Sequence, residues 1–311
     1  MFTLDSKTIR DAGAFLVGEL ERLDPELHAP LATVSWGRDI DLREDVTLGD
    51  EVSSFTNSSF AAAGGIHANG INWVGKDSTA IPGIAVTIDK TSKPLRLWGQ
   101  EIGFTVQELA AAQRVGRPID TQKLDALHLK NQMDIDQMVY LGDPDVGATG
   151  LLNNAGITPM SVSTAWAEAT PRHILDSINA LLERAWANSG YAVLPDRLLV
   201  PPQAMSKLTQ PMTEAGSKSI LQYVREECLC NTVNGRPLVI APVKHLTNAG
   251  IDNVARMVAY TRSRQYVRYP LVPLQHTPME YRGLYQITTY YAALGEVEFV
   301  YPETVAYADG I

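Results

Sequence analysis

The most regular pattern of apolar and polar positions lies in the first half of the chain and predicts one long helix. Its apolar residues recur at helical spacing, interrupted once by Asn131: Leu124, Leu127, Ile135 and Met138. No proline or glycine interrupts residues 119–141, a run that would extend about 35 Å as a helix. Because Gly142, Gly147 and Gly150 follow, we expect a tight loop of small residues after the helix.

Two more amphipathic helices are predicted, one near the start of the chain and one in its second half. The first covers residues 8–23, and its apolar face fits either its own core or a neighbouring copy. In the second, Thr170 is the expected N-cap and Pro171 the first helical residue. An apolar stripe over residues 174–186 follows, and Gly190 is expected to end the helix.

Alternating apolar residues and turn signals predict strands elsewhere, mostly toward the C-terminus. The predicted strands are 84–88, a short piece at Leu95 and Leu97, 197–200, 237–243, 257–260, 266–269, 284–291 and 297–301. Short helices are predicted over 105–115, 203–208 and 217–227, and the first has Thr105 and Glu108 at capping-box spacing. Residues 165–246 have the pattern of a compact unit of both helices and strands, and the chain as a whole is of the α+β class.

The segment from residue 55 to residue 83 shows neither a helical nor a strand period. It reads FTNSSFAAAGGIHANGINWVGKDSTAIPG, in which Gly, Ser, Ala and Asn predominate. Such a composition buries little apolar surface of its own. A segment of this length without its own core is either disordered or ordered by a partner.

Composition and charge exclude several classes of protein. With 26 Lys and Arg against 35 Asp and Glu, the formal net charge is −9, which argues against an electrostatic nucleic-acid binder. Local positive charge is still expected near the C-terminus, from Arg256, Arg262, Arg264, Arg268 and Arg282. The first residues have no secretion-signal pattern, and no apolar run is long enough to span a membrane. Cys228 and Cys230 are expected to be free thiols in a reducing compartment.

A search for catalytic, cofactor and metal motifs predicts none. Residues 70–77 nearly match a phosphate-binding loop, but the last residue is Asp instead of Ser or Thr, and a strand follows instead of a helix. Asp134 and Asp136 point to different helix faces, and Asp143 and Asp145 have no histidine at ligand spacing. We therefore predict no catalytic residues, no bound cofactor, no metal and no enzymatic activity.

Two local sequences resemble one known family. QMVYLGDPDVGATGLLNNAGIT at residues 137–158 is similar to the exit of that family's spine helix, and VEFVYPETVAYADGI at 297–311 is similar to its final strands. YTRSRQYVRYPLVPLQ at 260–275 is also similar. These sequences resemble the major capsid proteins of tailed bacteriophages with the Hong Kong 97-like fold. The order of the elements extends the resemblance over nearly the whole chain.

The resemblance implies a layout of named parts. These are an N-terminal arm at 1–44, an extended β-hairpin loop at 45–100, a peripheral domain with the spine helix at 101–150 and 250–311, and an axial domain at 151–249. In that family the final strands complete the peripheral sheet.

The same resemblance implies a function and a set of partners. The chain would self-assemble into pentamers and hexamers of an icosahedral head that encloses double-stranded DNA without sequence-specific binding. Separate scaffolding and portal proteins would be its other partners, with decoration proteins as a further option. Its location would be the virion, and the host cytoplasm during assembly.

Two other functions stay open at this point. A related bacterial nanocompartment shell would enclose an enzyme in place of a genome. A soluble hydrolase would need a site between Leu151 and Leu246 that forms only in three dimensions.

Five apolar residues are predicted to form the assembly interface. Two lie on the first helix and three in the extended loop: Phe15, Leu16, Phe60, Ile71 and Trp73. Because ordering the backbone costs about 1–2 kcal/mol per residue, the loop needs the surface of a neighbouring copy to repay that cost. Trp73 is the expected anchor, since a buried tryptophan often dominates the binding energy of an interface.

Overall fold

A computed structural model of the chain describes residues 33–62, 76, 84–108, 119–212, 218–235 and 237–311. The described helices and strands belong to one unit, Val34–Ile311. The helix predicted over residues 8–23 lies outside the described residues, as does most of the stretch from 63 to 83.

The described α-helices are α1 (Trp36–Asp39), α2 (Ile119–Tyr140), α3 (Pro171–Asn188), α4 (Pro202–Leu208), α5 (Ile220–Glu227) and α6 (Leu229–Asn234). Short 3₁₀ helices cover Pro144–Val146, Lys244–Asn248, Ile251–Asn253 and Pro302–Thr304. The strands are β1 (Asp41–Arg43), β2 (Val52–Ala62), β3 (Ile84–Pro94), β4 (Arg96–Thr105), β5 (Gly142–Asp143), β6 (Ala148–Thr149), β7 (Met160–Ser161), β8 (Arg197–Val200), β9 (Val239–Pro242), β10 (Arg256–Tyr260), β11 (Val267–His276), β12 (Glu280–Arg282), β13 (Tyr285–Leu294), β14 (Glu298–Phe299) and β15 (Ala306–Asp309).

The long helix predicted from the sequence is confirmed as α2. Its apolar stripe buries Leu127, Ile135 and Val139 against the core, and Leu141 N–H makes the last helical bond, to Gln137 O at 2.8 Å. The helix is about 33 Å long at 1.5 Å per residue. The helical period alone thus located the longest element of the fold.

The loop after α2 requires glycine at the positions that the sequence indicated. Gly142 has φ 70°, and a Cβ there would lie 2.2 Å from the backbone oxygen of Ala148. A Cβ on Gly150 would lie 2.3 Å from the backbone oxygen of Tyr140, whereas Gly147, with φ 68°, faces open space. The chain therefore turns back against the end of the helix at a distance that only glycine allows.

We expect Gly150→Ala to lower the free energy of unfolding by about 3 kcal/mol, because the methyl group would force two backbone segments apart. Gly147→Ala is the matched control, and we expect a loss of about 1 kcal/mol from its left-handed backbone alone. Urea denaturation of both variants measures the difference. Equal losses would show that the loop relaxes around a larger residue.

The predicted capping box after β4 is also confirmed. Glu108 N–H donates to Thr105 Oγ1 at 3.0 Å, and Thr105 N–H donates to Glu108 Oε2 at 2.9 Å. Residues 106–108 are helical, and the rest of the predicted helix over 105–115 lies outside the described residues.

Helix α3 and a five-stranded sheet form one part of the core. The strand order is β7-β15-β10-β8-β9. Thr170 is the N-cap as predicted, since its hydroxyl accepts a bond from His173 N–H at 3.4 Å. The predicted stripe buries Ile174, Ile178 and Leu182 against the sheet.

The last strand, β15, belongs to a different sheet from the one that the resemblance implied for the final strands. Strand β15 pairs with β10, and β10 pairs with β8, so both belong to the five-stranded sheet. The final strands at 297–311 therefore divide between two sheets, because β14 pairs instead with β11. The buried pair Arg256 and Asp309 lies directly across from β10 to β15 and holds this register.

The second sheet has six strands in the order β1-β11-β13-β12, with β14 added to β11 and β4 added to β13. Strand β4 pairs with β13 over its whole length, from Arg96 opposite Leu294 to Thr105 opposite Tyr285. Helix α2 packs beside β4, where Trp98 Nε1 donates to Asp134 Oδ2 at 2.9 Å. The sequence pattern indicated only the start of β4, at Leu95 and Leu97, because polar residues and glycines occupy the centre of the strand.

Strands β2 and β3 form a separate two-stranded hairpin, the extended β-hairpin that the resemblance implied. Its pairing is continuous from Val52 opposite Pro94 to Ala62 opposite Ile84. Alternation of apolar residues indicated β3 but not β2, which consists mainly of Ser, Thr, Asn and Ala.

Candidate functional site

Of the five residues predicted to form the assembly interface, one belongs to an element that the structure describes. Phe15, Leu16, Ile71 and Trp73 lie outside the described residues. Phe60 belongs to strand β2, where its backbone stands opposite Val86. Their role at an interface stays a prediction.

The root of the hairpin is the end where β2 begins and β3 finishes, with Ser53 opposite Lys93. A buried carboxylate, Glu298, fixes this root to the six-stranded sheet. Arg43 Nη1 donates to its Oε1 at 3.2 Å, and Arg268 Nε donates to its Oε2 at 2.6 Å. Ser53 of strand β2 donates its hydroxyl proton to the same carboxylate. Two cations and one hydroxyl thus satisfy a charge that would otherwise be costly to bury.

A second glutamate, Glu296, holds strand β3 at the same root. Lys93 Nζ donates to Glu296 Oε1 at 2.7 Å, and Thr149 donates to the same oxygen through its N–H and its hydroxyl. Burial alone would raise the pKa of Glu296, but the bonds from Lys93 and Thr149 lower it below its usual range. The carboxylate thereby links the hairpin to the loop after helix α2.

The chain segment that leads into α1 is tied to helix α2 by Asp136. Backbone N–H groups of Ser35 and Trp36 donate to Asp136 Oδ1 at 2.8 and 3.1 Å, and His245 Nε2 lies 3.1 Å from Oδ2. Burial would raise the pKa of Asp136, but His245, the Ser35 N–H and Lys244 lower it overall.

A neighbouring cluster of hydroxyl groups surrounds Asp39. Tyr140 donates to Asp39 Oδ2 and Tyr260 to the Asp39 backbone oxygen, each at 2.5 Å, and Arg38 forms two bonds of 2.7 Å with the carboxylate. Burial first, and the Asp39 charge second, raise the pKa of Tyr140 above its usual value. Residues 35–39 are therefore fixed to both the long helix and the five-stranded sheet.

The positive charge predicted near the C-terminus is internally neutralised. Each of the five arginines pairs with an acidic side chain at 2.6–3.4 Å: Arg256 with Asp309, Arg262 with Asp41, Arg264 with Glu44, Arg268 with Glu298 and Arg282 with Glu101. A binder of nucleic-acid phosphates needs clustered free cations, and these five are already paired.

The acidic pairs on α2 and after it have structural partners. Asp134 accepts bonds from Lys130 and Trp98, and Asp143 Oδ1 accepts the Asp145 N–H at 3.0 Å. Within the described residues no group of three His, Cys, Asp or Glu side chains could hold a metal ion. Among those residues there is also no helix long and apolar enough to cross a membrane. Cys228 and Cys230 are buried free thiols.

Sequence reasoning missed the two root glutamates, although a signal for them exists. Glu296 and Glu298 alternate with Val297 and Phe299, and all four residues are buried. A carboxylate inside an apolar strand requires a cation, and Arg268 lies in a similarly apolar strand. Pairing such isolated opposite charges is the inference that would have identified the root.

The described part of the chain thus combines a long helix, a two-stranded hairpin and two larger sheets, and ion pairs join the hairpin to its surroundings. The chain belongs to the major capsid protein family, whose model matches residues 70–311. The family and its fold are structural, and the resemblance to phage capsid proteins is confirmed.

Solved structures show the same fold at low sequence identity. The capsid of Myoviridae phage XM1 has a TM-score of 0.78 and 15% identity, over 94% of this chain and 98% of that chain. The capsid of the native GTA particle gives 0.64 and 11% identity over 99% of both chains. The virus-like particle from Pyrococcus furiosus gives 0.50 and 13% over 88% and 91%. The comparison with curated proteins gave no match. The fold is the Hong Kong 97-like capsid fold.

Proposed function

We propose that copies of this chain assemble into the pentamers and hexamers of an icosahedral phage head that encloses double-stranded DNA. The single observation that carries the proposal is membership of the major capsid protein family over residues 70–311. The hairpin supports it, because Val86 and Ile88 expose apolar side chains that a neighbouring subunit would cover.

We keep the domain division as part of this proposal. It consists of an arm at 1–44, an extended loop at 45–100, a peripheral domain at 101–150 and 250–311, and an axial domain at 151–249. Sheet membership departs from this division at two strands of 250–311, since β10 pairs with β15 and with β8, and β8 lies in the proposed axial domain. Scaffolding, portal and decoration proteins would be separate partners, and assembly in the host cytoplasm would precede the virion.

We further propose that the enclosed DNA is held without sequence-specific contacts and that the protein has no enzymatic activity. The paired arginines support the first point, since carboxylates already engage these cations. The family's structural role supports the second.

A nanocompartment shell is the second candidate, because the Pyrococcus furiosus virus-like particle has the same fold. Electron microscopy of purified recombinant protein tests both candidates against a soluble hydrolase, since only the first two form closed shells. Analysis of the contents of shells from the native source separates the two: a genome supports the head, and a protein cargo supports the nanocompartment. Dispersed subunits under all conditions would contradict both.

We expect Trp73→Ala to reduce the yield of shells while leaving the melting temperature of dissociated subunits unchanged. The reason is that Trp73 is proposed to be buried only against a neighbouring copy. Light scattering during assembly and calorimetry of the dissociated protein measure the two effects.

Trp98→Ala is the control, because Trp98 packs on the core and bonds to Asp134 within the same chain. That variant should melt earlier even as a dissociated subunit. If Trp73→Ala lowers the melting temperature as Trp98→Ala does, Trp73 is held by its own chain.

A further inference from the structure

The loop at residues 250–254 holds two strained residues in succession. Asp252 has φ 60° and Asn253 has φ 59°, and in the part of the chain that the structure describes Tyr191 is the only other non-glycine residue with positive φ. A side chain with a Cβ makes this conformation unfavourable, so it persists only where the surrounding structure enforces it. Such strain clusters at functional positions, which makes this loop a candidate for a role in binding.

Hydrogen bonds at the start of the loop enforce this conformation. Gly250 N–H donates to Val254 O at 2.9 Å, and Ile251 N–H donates to Asp309 Oδ2 at 3.1 Å. Asp309 is itself fixed by its buried pair with Arg256. A Cβ on Gly250 would lie 2.8 Å from Val254 O, so the first position requires glycine. The loop therefore has one defined shape.

The loop fixes an apolar side chain and a carboxylate next to each other at the surface, and we refer to residues 250–254 as the knob. Ile251 is 61% exposed. Asp252 is exposed as well and forms no ion pair with any residue that the structure describes. A single exposed isoleucine is ordinary, but a strained backbone that holds one in place needs an explanation.

A small cleft of about 110 Å³ opens beside the knob. Its apolar walls come from Trp166, Pro201, Ala204 and Ala255. Ala255 directly follows the knob in the chain, so the knob and the cleft lie side by side on the subunit. Ile251 does not line this cleft, and it stays exposed instead of filling it.

Lys207 adds a positive charge to the lining of the cleft. Its Nζ donates to Ala167 O at 3.2 Å, and no carboxylate among the described residues pairs with it. The knob thus offers an apolar side chain next to an unpaired carboxylate, and the cleft offers apolar walls next to an unpaired ammonium group. The two surfaces are complementary in both polarity and charge.

We propose that two copies of this chain dock on each other here about a two-fold axis. Ile251 of each copy enters the cleft of the other copy, and Asp252 of each copy pairs with Lys207 of the other. Each docking event buries two isoleucines in apolar clefts and closes two ion pairs beside them.

The position of the knob explains why a second copy is needed and why the contact is two-fold. The bonds from Ile251 N–H to Asp309 and from Gly250 N–H to Val254 hold the knob out of its own cleft. In a two-fold contact one patch meets the same patch on the other copy, so a neighbouring knob and cleft serve each other reciprocally. A head-to-tail contact would need them on different sides of the subunit. The inference rests on the proposed self-assembly and names one surface through which copies meet.

Exchanging the two charges tests the contact in the full chain. We expect Asp252→Lys, and separately Lys207→Asp, to raise the protein concentration needed for shell assembly by about tenfold, because like charges would meet at each docking event. The double variant places opposite charges across the two-fold axis again, so it should assemble close to the wild-type concentration. Light scattering measures assembly, and calorimetry of dissociated subunits checks that all three variants fold equally well.

The outcomes separate this inference from the proposed function. Single variants that assemble as the wild type does, or a double variant that assembles no better than the single ones, would overturn the inference and leave the proposed function intact. Wild-type protein that forms no shells would overturn both. If a single variant does not fold, a disulfide cross-link decides.

The cross-link uses Ile251→Cys together with Ala167→Cys, which puts one thiol on the knob and another at the cleft. Oxidation of assembled shells with glutathione disulfide should join chains into dimers, because each reciprocal pair closes on itself. Ile251→Cys alone is the control and should leave monomers, since Cys228 and Cys230 are buried. Monomers from the double variant, or ladders of many chains, would overturn the two-fold contact.

Discussion

Ile135→Asp is expected to prevent the chain from folding stably. Ile135 is 2% exposed on helix α2 and packs in the core that joins the helix to both sheets. The substitution removes a buried side chain and places a carboxylate without a cation in its position, so we expect a loss of about 5 kcal/mol in the free energy of unfolding. Urea denaturation, monitored by circular dichroism, measures this loss in the free energy of unfolding.

Lys130→Asp on the same helix is the matched control. The Lys130 side chain is 56% exposed, and its pair with Asp134 lies at the surface. Losing that pair and adding a like charge should cost less than about 1 kcal/mol. Similar losses in the two variants would show that the helix does not bury the face that contains Ile135.

Elements with strong local signals were predictable from the sequence. Helix α2 has a helical period that only Asn131 interrupts, and α3 has Thr170 and Pro171 at its first turn. Gly142 and Gly150 were predicted from their place after the helical run, and the structure leaves no room for a larger residue at either position. In these cases the determining interactions lie within a few residues of one another, so one stretch of sequence contains the whole signal.

Elements that depend on distant partners were not predictable in the same way. Strand β4 has exposed polar residues and glycines, and its strand conformation comes from pairing with β13, about 190 residues further along the chain. Membership of β15 in the five-stranded sheet depends on a similar pairing with β10. The short helix α6 was also missed.

The candidate site shows the same contrast between local sequence signals and contacts that are distant in the chain. Apolar residues of the extended loop were chosen because a loop without its own core needs the surface of a neighbouring copy to become ordered. The root of the hairpin depends instead on buried charges, and Glu298 and Arg43 are 255 positions apart in the chain. An interface between copies adds a further requirement, because half of its contacts belong to another molecule.

The buried pairings at the root of the hairpin lead to the second large effect. We expect Glu298→Ala to lower the free energy of unfolding by about 4 kcal/mol, because Arg43 and Arg268 would keep their charges without their common partner. The hairpin should also loosen, since Ser53 would lose the bond that ties β2 to β14. Urea denaturation measures the first effect, and hydrogen exchange over residues 52–58 measures the second.

Glu44→Ala is the matched control, because Glu44 pairs with Arg264 at 3.0 Å on the surface, where both side chains are mostly exposed. Removing that pair should change the free energy of unfolding by less than about 1 kcal/mol and leave exchange in the hairpin unchanged. If Glu298→Ala costs no more than Glu44→Ala, the arginines find water or other acceptors when the glutamate is gone. A large loss of stability with unchanged exchange over 52–58 would show instead that Glu298 holds the sheet but not the hairpin. The expected combination, low stability with a loosened hairpin, would show that this carboxylate both stabilises the subunit and holds the hairpin to the six-stranded sheet.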